Sequence, residues 1–288
     1  MANLFLGLLP ALKIHSWGGF GSQLFTAYVI LKLKKVMPGR RIKVVIHTSG
    51  VTRRFSEFDF GTLDVKVIQI DDYRSIKMQN SKEKLLLNYL LHLSIFVKKL
   101  LLWTLEMLRV VQRADDNNSL NLVSFWTMAI RGHYTKITLE KPVIDSLYQV
   151  LFPEKSEYEA KKNKLVVHYR LGDLLNLTEK QPIHWDRVEG VIDRLKIDSY
   201  SPMLLSDSRG EELETFLKSS KFLKDCEPLN YGPIQTLRIC LSADKFIGTG
   251  AKLSLWAAVF RYFVHGKESF LPTELNWADA NGLRANWY

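Results

Sequence analysis

The feature that most constrains the fold is an alternation of short apolar strands and helices, repeated in both halves of the chain. Runs rich in β-branched residues, such as 42–47 and 65–70, predict strands. Residues 22–36 predict a helix that ends before Pro38-Gly39. Because neighbouring parallel strands need helical crossovers, this alternation predicts parallel sheets covered by helices. We therefore predict an α/β fold built from two Rossmann-like halves that face each other.

A charged segment separates the two halves. Residues 154–164 alternate Lys and Glu without an apolar period, which is typical of a linker. The chain of 288 residues is long enough for two cores. We predict an N-terminal domain over 1–155 and a C-terminal domain over 156–288.

Charge and cysteine content narrow the partners and the compartment. The formal net charge of +10 favours anionic partners, among them nucleotides, phospholipid head groups and nucleic acids. No run of Lys and Arg interleaved with aromatic residues stands out, which argues against nucleic acid. Cys226 and Cys240 are too few for a disulfide framework or a zinc cluster. Residues 1–12 lack the basic start of a signal peptide, so we expect a cytoplasmic protein.

The segment 84–111 is apolar but unsuited to span a membrane. Lys98 and Lys99 lie in its middle, whereas a span needs about 20 mostly apolar residues. A buried core helix is the favoured interpretation. The alternative is a helix that touches a membrane surface, at the inner leaflet of the plasma membrane.

Two strand–turn–helix segments predict sites for anions. In the first, Gly18, Gly19 and Gly21 permit a sharp turn and bring bare N–H groups close to a ligand. In the second, the hydroxyls of Thr249 and Ser254 accompany the free N–H groups of a helix start, with Lys252 beside them. The alternatives are a plain tight turn and an ordinary capped helix.

The segment His168-Tyr169-Arg170-Leu171-Gly172-Asp173 follows a strong strand. Ligands of open α/β sheets gather at the carboxyl ends of strands, and the planar fork of Arg170 matches phosphate. Asp173 can hold that guanidinium or accept a sugar hydroxyl. Asp207 follows another strand and can bind ribose or a base, or cap the next helix. The alternative for Arg170 is an ion pair across a turn, with a purely structural role.

Taken in order, these segments resemble the bacterial α-1,2-fucosyltransferases and the wider group with an H-x-R-x-G-D motif. The resemblance extends from about residue 14 to residue 260. It is carried by Gly18-Gly19-Phe20-Gly21-Ser22-Gln23-Leu24-Phe25, Gly132-His133-Tyr134, His168 to Asp173, Ser206-Asp207 and Ser254-Leu255-Trp256-Ala257-Ala258.

The resemblance implies a GT-B fold with the donor in the cleft between the two domains. It implies that Arg170 and Ser254 bind the donor's diphosphate and that transfer is inverting and independent of metal. In agreement, the sequence contains no Asp-x-Asp motif. Three positions depart from the family pattern: Ser22 replaces Asn, Leu171 replaces a second arginine, and Leu255 replaces a tryptophan. These departures favour a nucleotide-sugar enzyme more strongly than fucose itself.

The predicted function is transfer of a sugar, by default fucose from GDP-fucose, to a glycan hydroxyl in the synthesis of surface polysaccharide such as O-antigen. The acceptor is predicted on the N-terminal domain, with a lipid-linked glycan as one candidate. The donor's partners are predicted to be Gly18, Gly19, Gly21, His168, Arg170, Asp207, Thr249, Lys252 and Ser254. Asp173 and His15 are the candidates for the catalytic base, and no cofactor is expected. The alternative is a basic protein that binds membranes or nucleic acid without catalysis.

Overall fold

The computed structural model describes residues 10–47, 56–70, 96–97, 99–154, 163–171, 183–195, 200–207, 213–214, 217–218, 220–224 and 226–288. The chain divides into two compact units, Met1–Ile137 (unit 1) and Thr138–Tyr288 (unit 2). Each unit holds a five-stranded sheet whose paired strands are parallel. The prediction of an α/β fold with two parallel sheets is confirmed.

Unit 1 is a sheet with the order β3-β2-β1-β5-β4. Its strands are β1 (Leu12–Trp17), β2 (Ile42–His47), β3 (Lys66–Ile70), β4 (Val111–Arg113) and β5 (Ala129–Arg131). Its described helices include α1 (Phe20–Val36), α2 (Asn117–Asn121) and the 3-10 turn Phe60–Leu63. Helix α1 packs on one face of this sheet, where the hydroxyl of Thr26 donates to that of Ser16 over 2.8 Å.

Unit 2 is a sheet with the order β10-β9-β8-β6-β7. Its strands are β6 (Lys164–Tyr169), β7 (Ser201–Ser206), β8 (Lys245–Gly248), β9 (Phe270–Leu271) and β10 (Asn286–Trp287). Its described helices include α3 (Lys141–Leu151), α4 (Trp185–Arg194), α5 (Pro233–Ser242), α6 (Lys252–Phe263) and the 3-10 helix Thr273–Asn281.

The strand order reverses once in unit 2. From β6 the chain moves outward to β7, and it then returns to the other side of β6 to form β8, β9 and β10. The crossover that leaves β6 therefore runs toward β7, whereas the crossover that leaves the neighbouring strand β8 runs the other way, toward β9. We call the carboxyl ends of these two strands the β6–β8 reversal point. In open α/β sheets a ligand binds at such a point.

The division into units comes before α3, whereas the predicted boundary at 155/156 comes after it. Helix α3 buries an apolar face of Val143, Ile144, Leu147 and Leu151. Tyr148 of α3 meets Phe260 of α6 edge-on at 5.6 Å and contacts the His265 ring nitrogen over 3.1 Å. This packing joins α3 to unit 2, although the charged segment follows it in the sequence.

Residues 99–107 of the apolar segment 84–111 are helical, as are 96 and 97. The favoured interpretation, a buried core helix, is wrong for this described part, because most of its large apolar side chains are exposed. Residues 84–95 and 98 lie outside the described residues. Among the described residues, no helix is long and apolar enough to cross a membrane.

Candidate functional site

The backbone at the β6–β8 reversal point is held by a threonine that bridges the two strand ends. The carbonyl oxygen of His168 accepts hydrogen bonds from the Thr249 backbone N–H and hydroxyl, over 3.1 and 3.2 Å. The same hydroxyl oxygen accepts from the N–H of Arg170 over 3.0 Å. Thr249 is buried, so its side chain fixes where the arginine leaves the strand.

Arg170 emerges from this junction beside the end of the neighbouring strand β7. Its Nε lies 3.9 Å from an Asp207 carboxylate oxygen, and the arginine side chain keeps 24% of its surface exposed. The other Asp207 oxygen accepts from the N–H of Leu171 over 2.9 Å. Asp207 therefore shapes the turn after β6 and neutralises part of the guanidinium charge, while the guanidinium remains accessible.

His168 and Ser254 form a buried pair beneath the arginine. The Nδ1 atom of His168 lies 2.7 Å from the Ser254 hydroxyl, and both side chains are buried. Burial lowers the pKa of His168 to about 4, so its imidazole is neutral at physiological pH. This contact ties the end of β6 to the first turn of α6, and the donor contact predicted for His168 stays a prediction. The phosphate contact predicted for Ser254 stays a prediction.

Helix α6 begins directly at the reversal point. Its N-terminus has no side-chain cap and no acidic residue in its first turn, which contains Lys252. A helix N-terminus in this state favours a negative charge, because its first N–H groups point outward from the helix. Gly248 is required for close packing there, since a Cβ atom would lie 2.7 Å from the Cβ of Ser254.

The glycine-rich turn of unit 1 is held by a buried glutamine. Gly18 has φ of +88°, and Gln23 donates to its carbonyl over 3.2 Å. The amide oxygen of Gln23 accepts from the N–H groups of Glu57 and Phe58, both over 2.9 Å. Gln23 is wholly buried and joins two loops, which gives the Gly-Gly-x-Gly-x-Gln pattern a structural basis.

The start of α1 already has an anionic partner within the chain. The N–H of Phe20 donates to a Glu57 carboxylate oxygen over 2.7 Å. Gly19 is the N-cap of this helix and Gly21 lies in its first turn. The donor contacts predicted for Gly18, Gly19 and Gly21 stay predictions, but an incoming phosphate would meet the carboxylate of Glu57 at this N-terminus. No sequence signal indicated Glu57.

A histidine pair marks the carboxyl ends of β1 and β2. Nδ1 of His15 lies 2.8 Å from Nε2 of His47, and Trp17 stacks on the His47 ring at 4.5 Å. Burial is the main cause that lowers the pKa of His15 to about 4, with the charges of His47, Arg131 and Lys13 adding to it. One proton occupies the hydrogen bond between the rings, so at least one ring is neutral there.

The Gly132-His133-Tyr134 segment supports this pair from β5. The buried hydroxyl of Tyr134 donates to the carbonyl of His15 over 2.7 Å. Gly132 lies against the backbone, since a Cβ atom there would sit 2.6 Å from the carbonyl oxygen of Ala114. The segment thus fixes the backbone of β1 at the histidine pair.

Two further predictions concern a base and a metal. Asp173, a candidate base, lies outside the described residues, as does Gly172. Within the described ranges, no group of three or more His, Cys, Asp or Glu side chains could hold a metal ion. Independence of metal stays a prediction.

No protein-family model matches the chain, and no curated protein does. Among solved structures, the E. coli heptosyltransferase WaaC with ADP-2-deoxy-2-fluoro heptose is 12% identical, covers 91% of this chain and 88% of its own, and has a TM-score of 0.46. A glycosyltransferase family 9 structure from Veillonella parvula is 11% identical, with 92% and 81% covered and a TM-score of 0.39. The NodZ α-1,6-fucosyltransferase soaked with GDP-fucose is 14% identical, with 86% and 92% covered and a TM-score of 0.35.

Proposed function

We propose that the chain is a glycosyltransferase that binds the diphosphate of a nucleotide-sugar donor at the β6–β8 reversal point. The observation that carries the proposal is the meeting, at this point, of an accessible arginine and an uncapped helix start. Arg170 contributes a planar charged fork, and α6 contributes outward N–H groups with Lys252 in its first turn. Both favour a compact dianion such as a diphosphate.

In sugar transfer these groups would stabilise the leaving nucleoside diphosphate. The glycosidic bond to the diphosphate oxygen breaks as the acceptor oxygen bonds to the sugar carbon, and negative charge develops on the diphosphate. Arg170 and the start of α6 would receive that charge. Asp207 lies close enough to Arg170 to orient it, and the Ser254–His168 contact keeps both elements in place.

We propose His15 as the base that accepts the acceptor's hydroxyl proton. For this role its Nδ1–H donates to His47 Nε2, which leaves a lone pair on the His15 Nε2 atom. The lowered pKa keeps His15 neutral at physiological pH, so its lone pair is available, and makes it a weak base, which is sufficient when the sugar–diphosphate bond breaks early in the reaction. Asp173 remains the second candidate.

The finer assignment rests on the sequence resemblance to α-1,2-fucosyltransferases. We propose GDP-fucose as the default donor, a glycan hydroxyl as acceptor, inversion at the transferred carbon, and no metal. Leu171, which stands where that group has a second arginine, is buried and packs in the core of unit 2. Because Leu171 cannot supply the charge of that arginine, fucose as the donor sugar is a separate proposal from binding of a nucleotide sugar, and each needs its own test.

The first experiment measures nucleoside diphosphate binding by calorimetry for wild type, Arg170→Ala and Arg170→Lys. The panel contains GDP, ADP, UDP and an oligonucleotide. We expect one diphosphate to bind and Arg170→Ala to weaken it about tenfold to a hundredfold, since a charge-assisted hydrogen bond contributes about 1.5–3 kcal/mol. Arg170→Lys should recover part of the loss. Donor hydrolysis and transfer should be abolished in Arg170→Ala.

The control is Arg194→Ala, which removes an exposed arginine of α4 in the same unit. It should bind the nucleotide as wild type does. Equal affinities in Arg170→Ala and wild type would refute the diphosphate site. Salt-sensitive binding of the oligonucleotide alone would instead favour the non-catalytic alternative.

A further inference from the structure

The helix at 99–107, like the helical residues 96 and 97, turns its apolar side chains outward. Phe96, Val97, Leu100, Leu101, Trp103, Met107 and the following Leu108 are each at least 51% exposed. At 3.6 residues per turn, the four of these positions that lie within 99–107 occupy an arc of roughly 160°. Leu102 and Leu105, on the opposite side of the helix, are partly buried. A surface helix normally shows the reverse arrangement, so this face is suited to an apolar partner.

A second group of exposed apolar side chains lies beside the end of this helix. It consists of Leu122, Phe125, Trp126 and Met128, which are between 42% and 69% exposed. Phe125 and Trp126 contact each other at 4.9 Å. The backbone N–H of Met128 donates to the carbonyl of Val110 over 2.8 Å, just after the helix. We call the two groups together the apolar surface of unit 1.

A row of lysines lies next to this surface. Lys13, Lys43 and Lys66 stand directly opposite one another on β1, β2 and β3. Among the described residues, no acidic side chain forms an ion pair with any of them. Like charges in register repel each other, so an external anion would stabilise the row.

One ion pair places the helix on the side of the sheet that carries the lysine row. The N–H of Lys13 donates to the Met128 carbonyl over 2.9 Å, so the row is next to the second apolar group along the chain. Arg131 shares the sheet face of Lys13, because it follows Ala129, the register partner of Lys13, by two residues. Glu106 of the helix reaches Arg131 with 4.0 Å between charged atoms. The helix therefore lies against the face that carries the lysines.

From this arrangement we infer that unit 1 docks on a bilayer surface that contains anionic phospholipids. The apolar surface would enter the boundary between head groups and acyl chains, where Trp and Phe are favoured. The lysine row, Lys99 and Arg109 would contact the phosphates. Exposed tryptophans next to lysines that have no acidic partner within the described residues fit this boundary better than a protein interface, where charged residues are depleted at the core. The inference stands independently of the proposed enzymatic function.

The test is flotation of the full chain with vesicles of phosphatidylcholine alone or with added phosphatidylglycerol. We expect wild type to bind the mixed vesicles more tightly than the vesicles of phosphatidylcholine alone. Replacing the exposed tryptophans, Trp103→Ser with Trp126→Ser, should reduce the apparent affinity about tenfold or more for both vesicle types. Lys13→Gln with Lys66→Gln should reduce the preference for phosphatidylglycerol about tenfold, because each basic residue near an anionic surface contributes separately.

The matched control is Val36→Ser with Tyr231→Ser, which removes exposed apolar side chains outside this surface. This variant should float as wild type does. The inference would be overturned if wild type bound neither vesicle type. It would also be overturned if the tryptophan variant floated with the mixed vesicles as well as wild type does. Light scattering tests the alternative occupant, a second copy of this chain. If wild type is a dimer, the tryptophan variant is a monomer and neither binds vesicles, the surface serves self-association and the inference is overturned. Nucleotide binding should be unchanged in every variant, so a failure here leaves the proposed function standing.

Discussion

At the scale of single residues, two neutral histidines, His168 buried and His15 partly buried, contact partners at the strand ends where ligands are expected. His168 contacts Ser254 and His15 contacts His47, and burial lowers the pKa of both His168 and His15 to about 4. In the unfolded chain both would titrate near 6.5. The folded state therefore resists a proton that the unfolded state accepts.

This difference predicts that acid destabilises the protein. Between pH 6.5 and 4 the unfolded state binds more protons than the folded state. The contribution of the two histidines to the free energy of unfolding is therefore at its full value above pH 6.5 and is lost as the pH falls toward 4. His168 alone should account for about 2–3 kcal/mol at pH 4.5. Urea unfolding at pH 7 and pH 4.5 measures this loss.

The comparison variant is His168→Asn, which retains a polar group near Ser254 but does not titrate. It should be less stable than wild type at pH 7 and lose less stability on acidification. The same acid-induced loss in both proteins would contradict the assignment to His168.

At the scale of elements, a buried arginine of α6 caps the C-terminus of α5. Arg261 of α6 is fully buried and donates to the carbonyls of Cys240 and Ala243 over 3.0 and 2.7 Å. These acceptors lie at the C-terminus of α5, where helix carbonyls lack partners and a cation is favoured. It also donates to the Glu268 carbonyl. Burial lowers the pKa of Arg261 to about 10, which leaves it charged at neutral pH.

Replacing this arginine should destabilise unit 2 even when the charge is kept. Arg261→Lys removes donors, and buried carbonyls left without a partner cost about 1–3 kcal/mol each. We expect a loss of about 2–4 kcal/mol in the free energy of unfolding, measured by urea denaturation. Arg194→Lys on the surface of α4 is the control and should change little. A loss below about 1 kcal/mol in Arg261→Lys would show that the several hydrogen bonds of the guanidinium are not needed to stabilise unit 2.

At the scale of the whole molecule, the two units bring different ligand chemistry to their sheets. Unit 2 has an accessible arginine and a helix start at its reversal point, which suit a diphosphate. Unit 1 has a histidine pair at the carboxyl ends of its strands and a lysine row with exposed apolar side chains beside it.

Hydrogen–deuterium exchange should separate these ligands along the chain. Nucleoside diphosphate should slow exchange in peptides that cover 168–171 and 249–255, because it binds backbone groups there. Vesicles with phosphatidylglycerol should slow exchange over 96–128. A nucleotide effect confined to unit 1, or a vesicle effect confined to unit 2, would show that the two proposals place their ligands wrongly.

The sequence by itself determined the elements with strong local signals. It predicted β2 over 42–47 with the ends that the structure has, and the strand over 65–70 begins one residue later as β3, because each is a β-branched, largely apolar run. It also predicted the strand–turn–helix segments that contain Gly18 and Ser254, and the strand that precedes Arg170. The three-residue strands β4 and β5 were missed, since so short a segment shows no period.

Only the tertiary structure decided which residues meet. Glu57 reaches the start of α1, His47 lies beside His15, and the three lysines align, because strand order and register bring distant segments together. The apolar character of 96–108 was plain in the sequence, but its direction was not. Periodicity shows that a helix has an apolar face, whereas the packing of the opposite face decides whether that face is buried or turned to the surroundings.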